Sequence, residues 1–401
     1  MSDSVQDKIA VVGQGYVGLP LAIAAANASF RVIGLDNNGN KVANLNNFIS
    51  DIEGISSDEL KIITSKGNYH ATDDFSEIAG AEIILICVPT PLGNNGKPDL
   101  KFLIEATTEV AKNMSKGTLV IIESTVAPGT TRNMIVPLIK SESKLGDENF
   151  TVAFSPERVD PLNDTWGIKN TPKLLSALTE EGYRLAFNFY SKFVNTIIKC
   201  DSTEVAETAK LLENSFRLIN ISFINEISIF CQKLGIEVNQ VIKAASTKPF
   251  GFMPFYPGIG IGGHCIPVDP IYLATAAKSI GVPTKLIELA HQINQEMPGY
   301  FVGRAEEKIG GLKDKKVLVI GVSYKPNMAD VRETPVEALI LGLRNKGAEV
   351  FWHDDVVKEW NDEKSVALSD VYDLAIIATP HAYLDLIKLG DVPILNTRGS
   401  I

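Results

Sequence analysis

Residues 258 to 270 read Gly-Ile-Gly-Ile-Gly-Gly-His-Cys-Ile-Pro-Val-Asp-Pro, a cysteine at the end of a glycine run with a carboxylate four residues on. Glycines let backbone and ligand approach closely, and a thiol at Cys265 can attack a carbonyl to form a covalent intermediate. The alternative is a small apolar residue packed in a turn. A second motif near the start of the chain decides between them. Gly13-Gln14-Gly15-Tyr16-Val17-Gly18 follows the apolar run Ile9 to Val12 and precedes the helical stretch Leu19 to Ala26. In that context the first glycine makes a tight turn, the second admits a pyrophosphate, the third packs helix on strand, and the helix N-terminus favours the anion. Asp36 ends the next apolar run, where a carboxylate bonds both ribose hydroxyls and repels a 2'-phosphate, so NAD is expected rather than NADP. Lys41 adds some nearby positive charge. A chain holding both a hydride acceptor and a thiol nucleophile can oxidise an aldehyde to an acid.

Other polar residues cluster just after apolar runs, where ligands collect in open α/β sheets. Val88-Pro89-Thr90-Pro91 and Glu123-Ser124-Thr125 supply hydroxyls for a nicotinamide or ribose, through Thr90, Ser124 and Thr125; simple turn chemistry is the alternative. Ser155-Pro156-Glu157-Arg158 brings a carboxylate able to act on water or a substrate hydroxyl, or else a surface Glu-Arg pair. Lys210 and Asn214 lie four apart on one helical face, where an amine and an amide can polarise an oxygen, or simply face solvent. Lys325 and Arg332, after the run ending at Ile320, suit a diphosphate, although Thr334-Pro335 also reads as a helix start.

The elements that must position these groups read as α/β. Short apolar runs (Ile9 to Val12, Val32 to Leu35, Ile83 to Val88, Leu119 to Ile122, Val152 to Phe154) alternate with amphipathic stretches, which predicts a parallel sheet covered on both faces. Residues 203 to 234 contain neither Gly nor Pro and predict one helix of roughly 45 Å with a dimerisation face. From Lys316 the strand-helix alternation returns through Glu349 to Trp352, Leu374 to Ala378 and Ile394 to Asn396. This half has one glycine, Gly321, where the first has three, and is not expected to hold a second dinucleotide. The expected architecture is two Rossmann-like doubly wound domains joined by a long central helix. Its parts are residues 1–200, a central helical region 201–308 with the cysteine loop, and 309–401, with Gly310-Gly311 as a hinge.

A chain of 401 residues exceeds what one hydrophobic core usually supports, and a net charge of -10 without a Lys/Arg cluster argues against nucleic acid. No apolar run is long enough to span a membrane, and the N-terminus lacks a leader pattern, so a cytoplasmic location is expected. Cys87, Cys200, Cys231 and Cys265 form no Cys-x-x-Cys pair and no zinc spacing, so neither a disulfide framework nor a metal is expected. Cys87 and Cys231 read as core residues.

Taken in order, Gly13 to Gly18, Thr90, Thr125, Lys210 with Asn214, Gly262-Gly263-His264-Cys265 with Asp269, and Lys325 with Arg332 resemble the UDP-glucose/GDP-mannose dehydrogenase family along the whole chain. Phe154 to Pro161 and Thr247 to Gly258 are similar to its UDP-N-acetylglucosamine 6-dehydrogenase branch. Leu174 to Ala177 departs from relatives, which often carry a Gly-Gly turn there. The resemblance implies two oxidations at C6 of a UDP-sugar, using two NAD and one water. Cys265 captures the aldehyde and then carries a thioester. Lys210 and an Asp269-held water assist removal of the hydroxyl proton, Glu157 or Asp269 acts as base for hydrolysis, and Asn214 with Lys210 stabilises the oxyanion. It further implies that Tyr256 and Gly258 hold the nucleotide sugar. Lys325, Arg332 and, less directly, Arg398 reach toward the diphosphate or cofactor, and the protein is a homodimer or higher homo-oligomer. UDP-ManNAc, UDP-GalNAc and UDP-glucose are alternative substrates. A single-step NAD-linked hydroxyacid dehydrogenase and a catalytically silent NAD and nucleotide-sugar sensor are the rival classes, separated from the first reading by Cys265.

Overall fold

The computed structural model describes residues 7–143, 145–146, 149–160, 163, 165–382 and 384–399. Residues 1–6 of the N-terminus and Pro161 of the Phe154 to Pro161 segment lie outside them. The chain divides into two compact units, Met1–Leu212 and Glu213–Ile401.

The first unit is built on eight strands: β1 Lys8–Val12, β2 Arg31–Leu35, β3 Tyr69–Thr72, β4 Ile83–Ile86, β5 Thr118–Ile122, β6 Phe150–Phe154, β7 Lys173–Ala177 and β8 Ile197–Lys199. Their order is β3-β2-β1-β4-β5-β6-β7-β8, whose first six positions follow the dinucleotide-fold order. Strand residues alternate between two cores. Ile9, Val11, Ile83 and Leu85 pack on one face, Ala10, Val12, Ile84 and Ile86 on the other. Both faces being covered, the strands carry continuous apolar sequence rather than alternation. The order reverses between β1 and β4, so a crevice opens at their carboxyl ends, the edge that bears the glycine motif.

The sheet departs from the all-parallel expectation at one pair. β7 runs antiparallel to β6, with Phe154 opposite Ser176 and Ala153 opposite Ala177. Leu174 to Ala177 is thus the body of a strand whose Leu175 is fully buried.

The helix Thr203–Leu234 forms as the absence of Gly and Pro predicts, and Gly235, with φ of 72°, follows its end. In the second unit a parallel sheet of order β10-β9-β13-β14 is made of β9 Lys316–Ile320, β10 Glu349–His353, β13 Leu374–Ile377 and β14 Ile394–Asn396. A ribbon of β11 Glu359–Trp360 and β12 Glu363–Lys364 accompanies it. Val317 and Val319 face one core, Leu318 and Ile320 the other, so this half repeats the two-faced pattern of the first. The unit also contains the helices Val238–Ala245, Cys265–Ser279, Lys285–Ile309 and Val336–Asn345. Among the described residues no helix is long and apolar enough to cross a membrane.

Candidate active site

In the first unit the glycine motif is fixed by its own backbone. Gly13 has φ of 91°, and a Cβ on Gly18 would lie 1.8 Å from the Gly13 carbonyl oxygen, so neither position accepts a side chain without movement. Gly15 differs: a Cβ there meets nothing within 4 Å. The turn is therefore closed on its protein side and open at its middle glycine. Asp36 is held at its mouth, one carboxylate oxygen accepting the Gln14 amide at 3.0 Å and the other the Asn38 amide at 3.0 Å. Lys41 pairs with Asp51 at 3.0 Å and reaches the Gln14 carbonyl at 3.4 Å, so its charge is partly spent within the protein. Tyr16 gives its hydroxyl to Glu53, and Val17 precedes the helix that Gly18 begins. These residues fit a dinucleotide: an open cradle at a helix N-terminus and a carboxylate placed for a ribose.

Along the same sheet edge, Ser124 donates its hydroxyl to the Val88 carbonyl at 2.8 Å, which ties the end of β5 to the segment after β4. Pro89 is exposed, Thr90 buried and Thr125 half-buried beside that tie. Glu157, three residues past β6, turns one carboxylate oxygen onto the amides of Arg158 and Val159, both at 2.6 Å. The Lys210 ammonium donates to the Glu157 main-chain carbonyl at 2.6 Å, whereas the Arg158 guanidinium turns to the Pro172 carbonyl. Burial works against ionisation of Glu157. Lys173, the two amides and Lys210 outweigh it, so its carboxyl lies below the usual carboxylate range.

Two buried charges here escaped the sequence reading. Glu123 and Lys173 form an ion pair at 2.8 Å, with Tyr190 donating its hydroxyl to Glu123. Their sequence signal was slight: Glu123 directly follows the apolar run Leu119 to Ile122, and Lys173 opens a strand that was not recognised.

In the second unit Cys265 is exposed and is the first residue of the helix Cys265–Ser279. The helix starts there because Pro267 lies in the first turn, where an amide has no intrahelical partner. Its first amides favour negative charge near the sulfur. The loop before it is held from two sides. Asn225 accepts the Gly258 amide at 2.9 Å and Asn294 the Ile261 amide at 2.7 Å, both through buried side chains that the sequence did not single out. Gly262 packs on the segment after β9, where a Cβ would meet the Tyr324 Cβ at 2.6 Å, and the Gly263 amide donates to the Arg332 carbonyl at 3.0 Å. One turn beyond Cys265, buried Asp269 accepts the Asn214 amide at 2.6 Å. Lys210 and Asn214, read as a pair by their spacing, thus each have a separate hydrogen-bond partner.

Tyr256 is exposed and Lys325 half-buried. Arg332 forks onto Asp330, with its Nε 2.9 Å from one carboxylate oxygen, while 48% of its side chain stays exposed. Arg398 is half-buried, and its carbonyl accepts the Asn239 amide at 3.0 Å.

Sequence models of the UDP-glucose/GDP-mannose dehydrogenase family match this chain in three parts: the NAD binding domain at residues 7–194, the central domain at 204–296 and the UDP binding domain at 318–396. A UDP-N-acetyl-D-glucosamine 6-dehydrogenase of Pseudomonas aeruginosa is 34% identical over 390 residues, covering 94% of this chain and 90% of its own. A UDP-N-acetyl-D-mannosamine dehydrogenase of Pyrococcus horikoshii is 34% identical over 379 residues, covering 93% and 89%. A solved UDP-D-ManNAc dehydrogenase structure from Pyrococcus horikoshii superposes with a TM-score of 0.90 at 33% identity, over 98% of this chain and 95% of that one. The matched NAD binding domain contains the glycine turn and Asp36, and NAD is the cofactor. With every part of the family pattern present in order, the chain belongs to the UDP-glucose/GDP-mannose dehydrogenase family of NAD-dependent oxidoreductases.

Proposed function

We propose that the protein oxidises the C6 hydroxyl of a UDP-N-acetylhexosamine, UDP-N-acetylglucosamine foremost, to the uronic acid in two steps through Cys265. The observation that carries this reading is Cys265 itself, exposed on the first turn of its helix, with the buried Asp269–Asn214 pair one turn on. Residues 1–200 hold NAD, 201–308 carry the cysteine loop and 309–401 take the UDP group. Gly13, Gly15, Tyr16, Val17, Gly18 and Asp36 form the cofactor cradle, with Lys41, Pro89, Thr90, Ser124, Thr125 and Arg332 as further contacts, and Thr125 also belongs to the catalytic set with Cys265, Lys210, Asn214, Asp269 and Glu157. NAD, when bound, takes up a hydride at each oxidation.

The chain's own groups do the rest. Lys210 and a water held by Asp269 take the C6 hydroxyl proton as the aldehyde forms. The Cys265 thiolate then adds to the aldehyde carbon, making a C–S bond as the C=O π bond breaks, and the carbonyl oxygen takes a proton back from Lys210 to become the hydroxyl of a thiohemiacetal. Loss of hydride, and of that hydroxyl proton to Lys210, leaves a thioester. Glu157 or Asp269 takes a proton from water as its oxygen bonds to the thioester carbon; the C–S bond breaks and Cys265 returns as thiolate. Asn214 and Lys210 donate to the oxyanion at both tetrahedral stages. Tyr256, Gly258, Arg158, Lys325 and Arg398 hold the nucleotide sugar.

Following NADH with UDP-GlcNAc, UDP-ManNAc, UDP-GalNAc and UDP-glucose tests substrate and stoichiometry together. Two NADH per UDP-GlcNAc, with the highest kcat/KM of the four, is expected. One NADH per sugar, or preference for another epimer, overturns the corresponding half of the proposal.

An assembly through the long helix belongs to the same proposal. Leu212, Phe216, Phe223, Phe230 and Leu234 are each at least 45% exposed, and at helical spacing they fall on one stripe within about 40°. A second copy covering this stripe removes it from water. Sedimentation at micromolar protein is expected to give at least a dimer; a monomer contradicts this.

A further inference from the structure

Two members of a buried ion network at the carboxyl edge of the first sheet, Glu123 and Lys173, have no part in the roles above. The Lys173 ammonium lies 2.8 Å from Glu123 and 3.7 Å from Glu157, and these side chains are 8%, 0% and 16% exposed. Tyr190 donates to the second Glu123 oxygen, and its ring centroid is 4.9 Å from the same ammonium. The antiparallel turn of β7 creates this arrangement. Its register pairs Phe154 with Ser176, and continuing it three residues sets Glu157 opposite Lys173.

One cation thus serves two carboxylates. Glu123, wholly buried, binds it at hydrogen-bond distance; Glu157, nearer solvent, faces it at ion-pair distance. The other charged groups around Glu157 are Lys210 from the long helix, which donates to its carbonyl, and Arg158, whose guanidinium is turned to Pro172. Tyr190 and the buried thiol of Cys87 border the Glu123 end.

We infer that Lys173, anchored by Glu123 and Tyr190, is a positioning residue that fixes the orientation and charge of the Glu157 carboxylate, and that Glu123 moderates its hold by sharing the cation. The inference rests on reading Glu157 as the base for hydrolysis. The directions of the titrations agree with it. Burial opposes ionisation at both carboxyls, but Lys173 and neighbouring amides hold Glu157 below its ordinary value, while Glu123 stays above its own.

The test compares E123Q, the double variant E123Q/K173M and K173R by infrared titration of carboxylates, with E157Q as the blank that identifies the Glu157 band. Glu123→Gln leaves Lys173 to Glu157 alone, and the Glu157 titration moves down by about one unit. The double variant removes the cation without stranding a buried carboxylate, and the titration moves up by about one unit or more. Lys173→Arg keeps it near the parent. The acid limb of acid formation against pH follows the same shifts. An unmoved Glu157 titration in folded E123Q and in the double variant overturns the inference. Should the double variant not fold, the downward shift in E123Q alone decides it. A titration that moves while the acid limb stays still upholds the positioning role and refutes Glu157 as the base.

Discussion

The Asn214 side-chain amide donates to the Asp269 carboxylate at 2.6 Å, and both side chains are buried, at 6% and 1% exposed. A buried carboxylate needs its donors, and Asp269 also lies one turn from Cys265. Asn214→Ala is expected to lower stability by about 1–3 kcal/mol, read from the denaturant midpoint. Asp269→Asn is expected to lower kcat by about a hundredfold while the protein stays folded. Full activity in the second variant removes Asp269 from the mechanism.

Cys265→Ala separates two-step from one-step oxidation. Acid formation is expected to fall by at least about a thousandfold, with NAD affinity unchanged because the cofactor cradle is untouched. Mass spectrometry of the quenched parent enzyme during turnover is expected to find the sugar as an adduct on Cys265. Acid made at the parent rate by the alanine variant would return the protein to the single-step class.

The glycine motif separates folding from binding. Gly18→Ala places a methyl 1.8 Å from the Gly13 carbonyl oxygen and is expected to cost about 3 kcal/mol of stability. Gly15→Ala meets no protein atom within 4 Å, so the melting temperature is expected to hold while the NAD dissociation constant rises about tenfold or more. Unchanged NAD affinity in Gly15→Ala would place the pyrophosphate elsewhere.

Asp36 accepts two main-chain amides, and the proposed function gives its carboxylate to the ribose. Asp36→Asn removes the charge that repels a 2'-phosphate, and the preference of kcat/KM for NAD over NADP is expected to narrow by about tenfold. Equal discrimination before and after the change counts against this role.

Acid stability depends on Asp354, at the end of β10. Burial opposes its ionisation, but His381 and the amides of Val357, Val356 and Val322 lower it from the ordinary 3.8 to about 2. In that interval the unfolded chain binds the extra proton, so the contribution is present above about pH 4 and is lost as pH falls through about 2. It amounts to about 2 kcal/mol. Asp354→Asn is expected to flatten the fall of stability between those values in denaturant titrations; a slope equal to the parent's refutes it.

Much of this protein is local in origin. Continuous apolar runs mark β1, β2, β4, β5, β6 and the strands of the second sheet, because a strand buried on both faces needs no polar alternation. The glycine motif and the helix Thr203–Leu234 are legible for similar reasons: each follows from backbone freedom or its absence within a few residues. β3, β8 and the Lys173–Ala177 strand do not stand out, because His70 and Thr72, Lys199, and Lys173 and Ser176 interrupt their apolar runs.

Partnership was decided only by the tertiary structure. Asn225 and Asn294 look like ordinary helical residues until the main chain of the cysteine loop arrives opposite them. Glu123 and Lys173 lie 50 residues apart and meet only because β7 turns antiparallel beside β6. By itself the sequence determined which groups carry chemistry and which stretches form strand or helix, since those depend on neighbours within one or two turns. Which charge faces which depends on strand order and direction, and these are settled by the packing of the whole sheet.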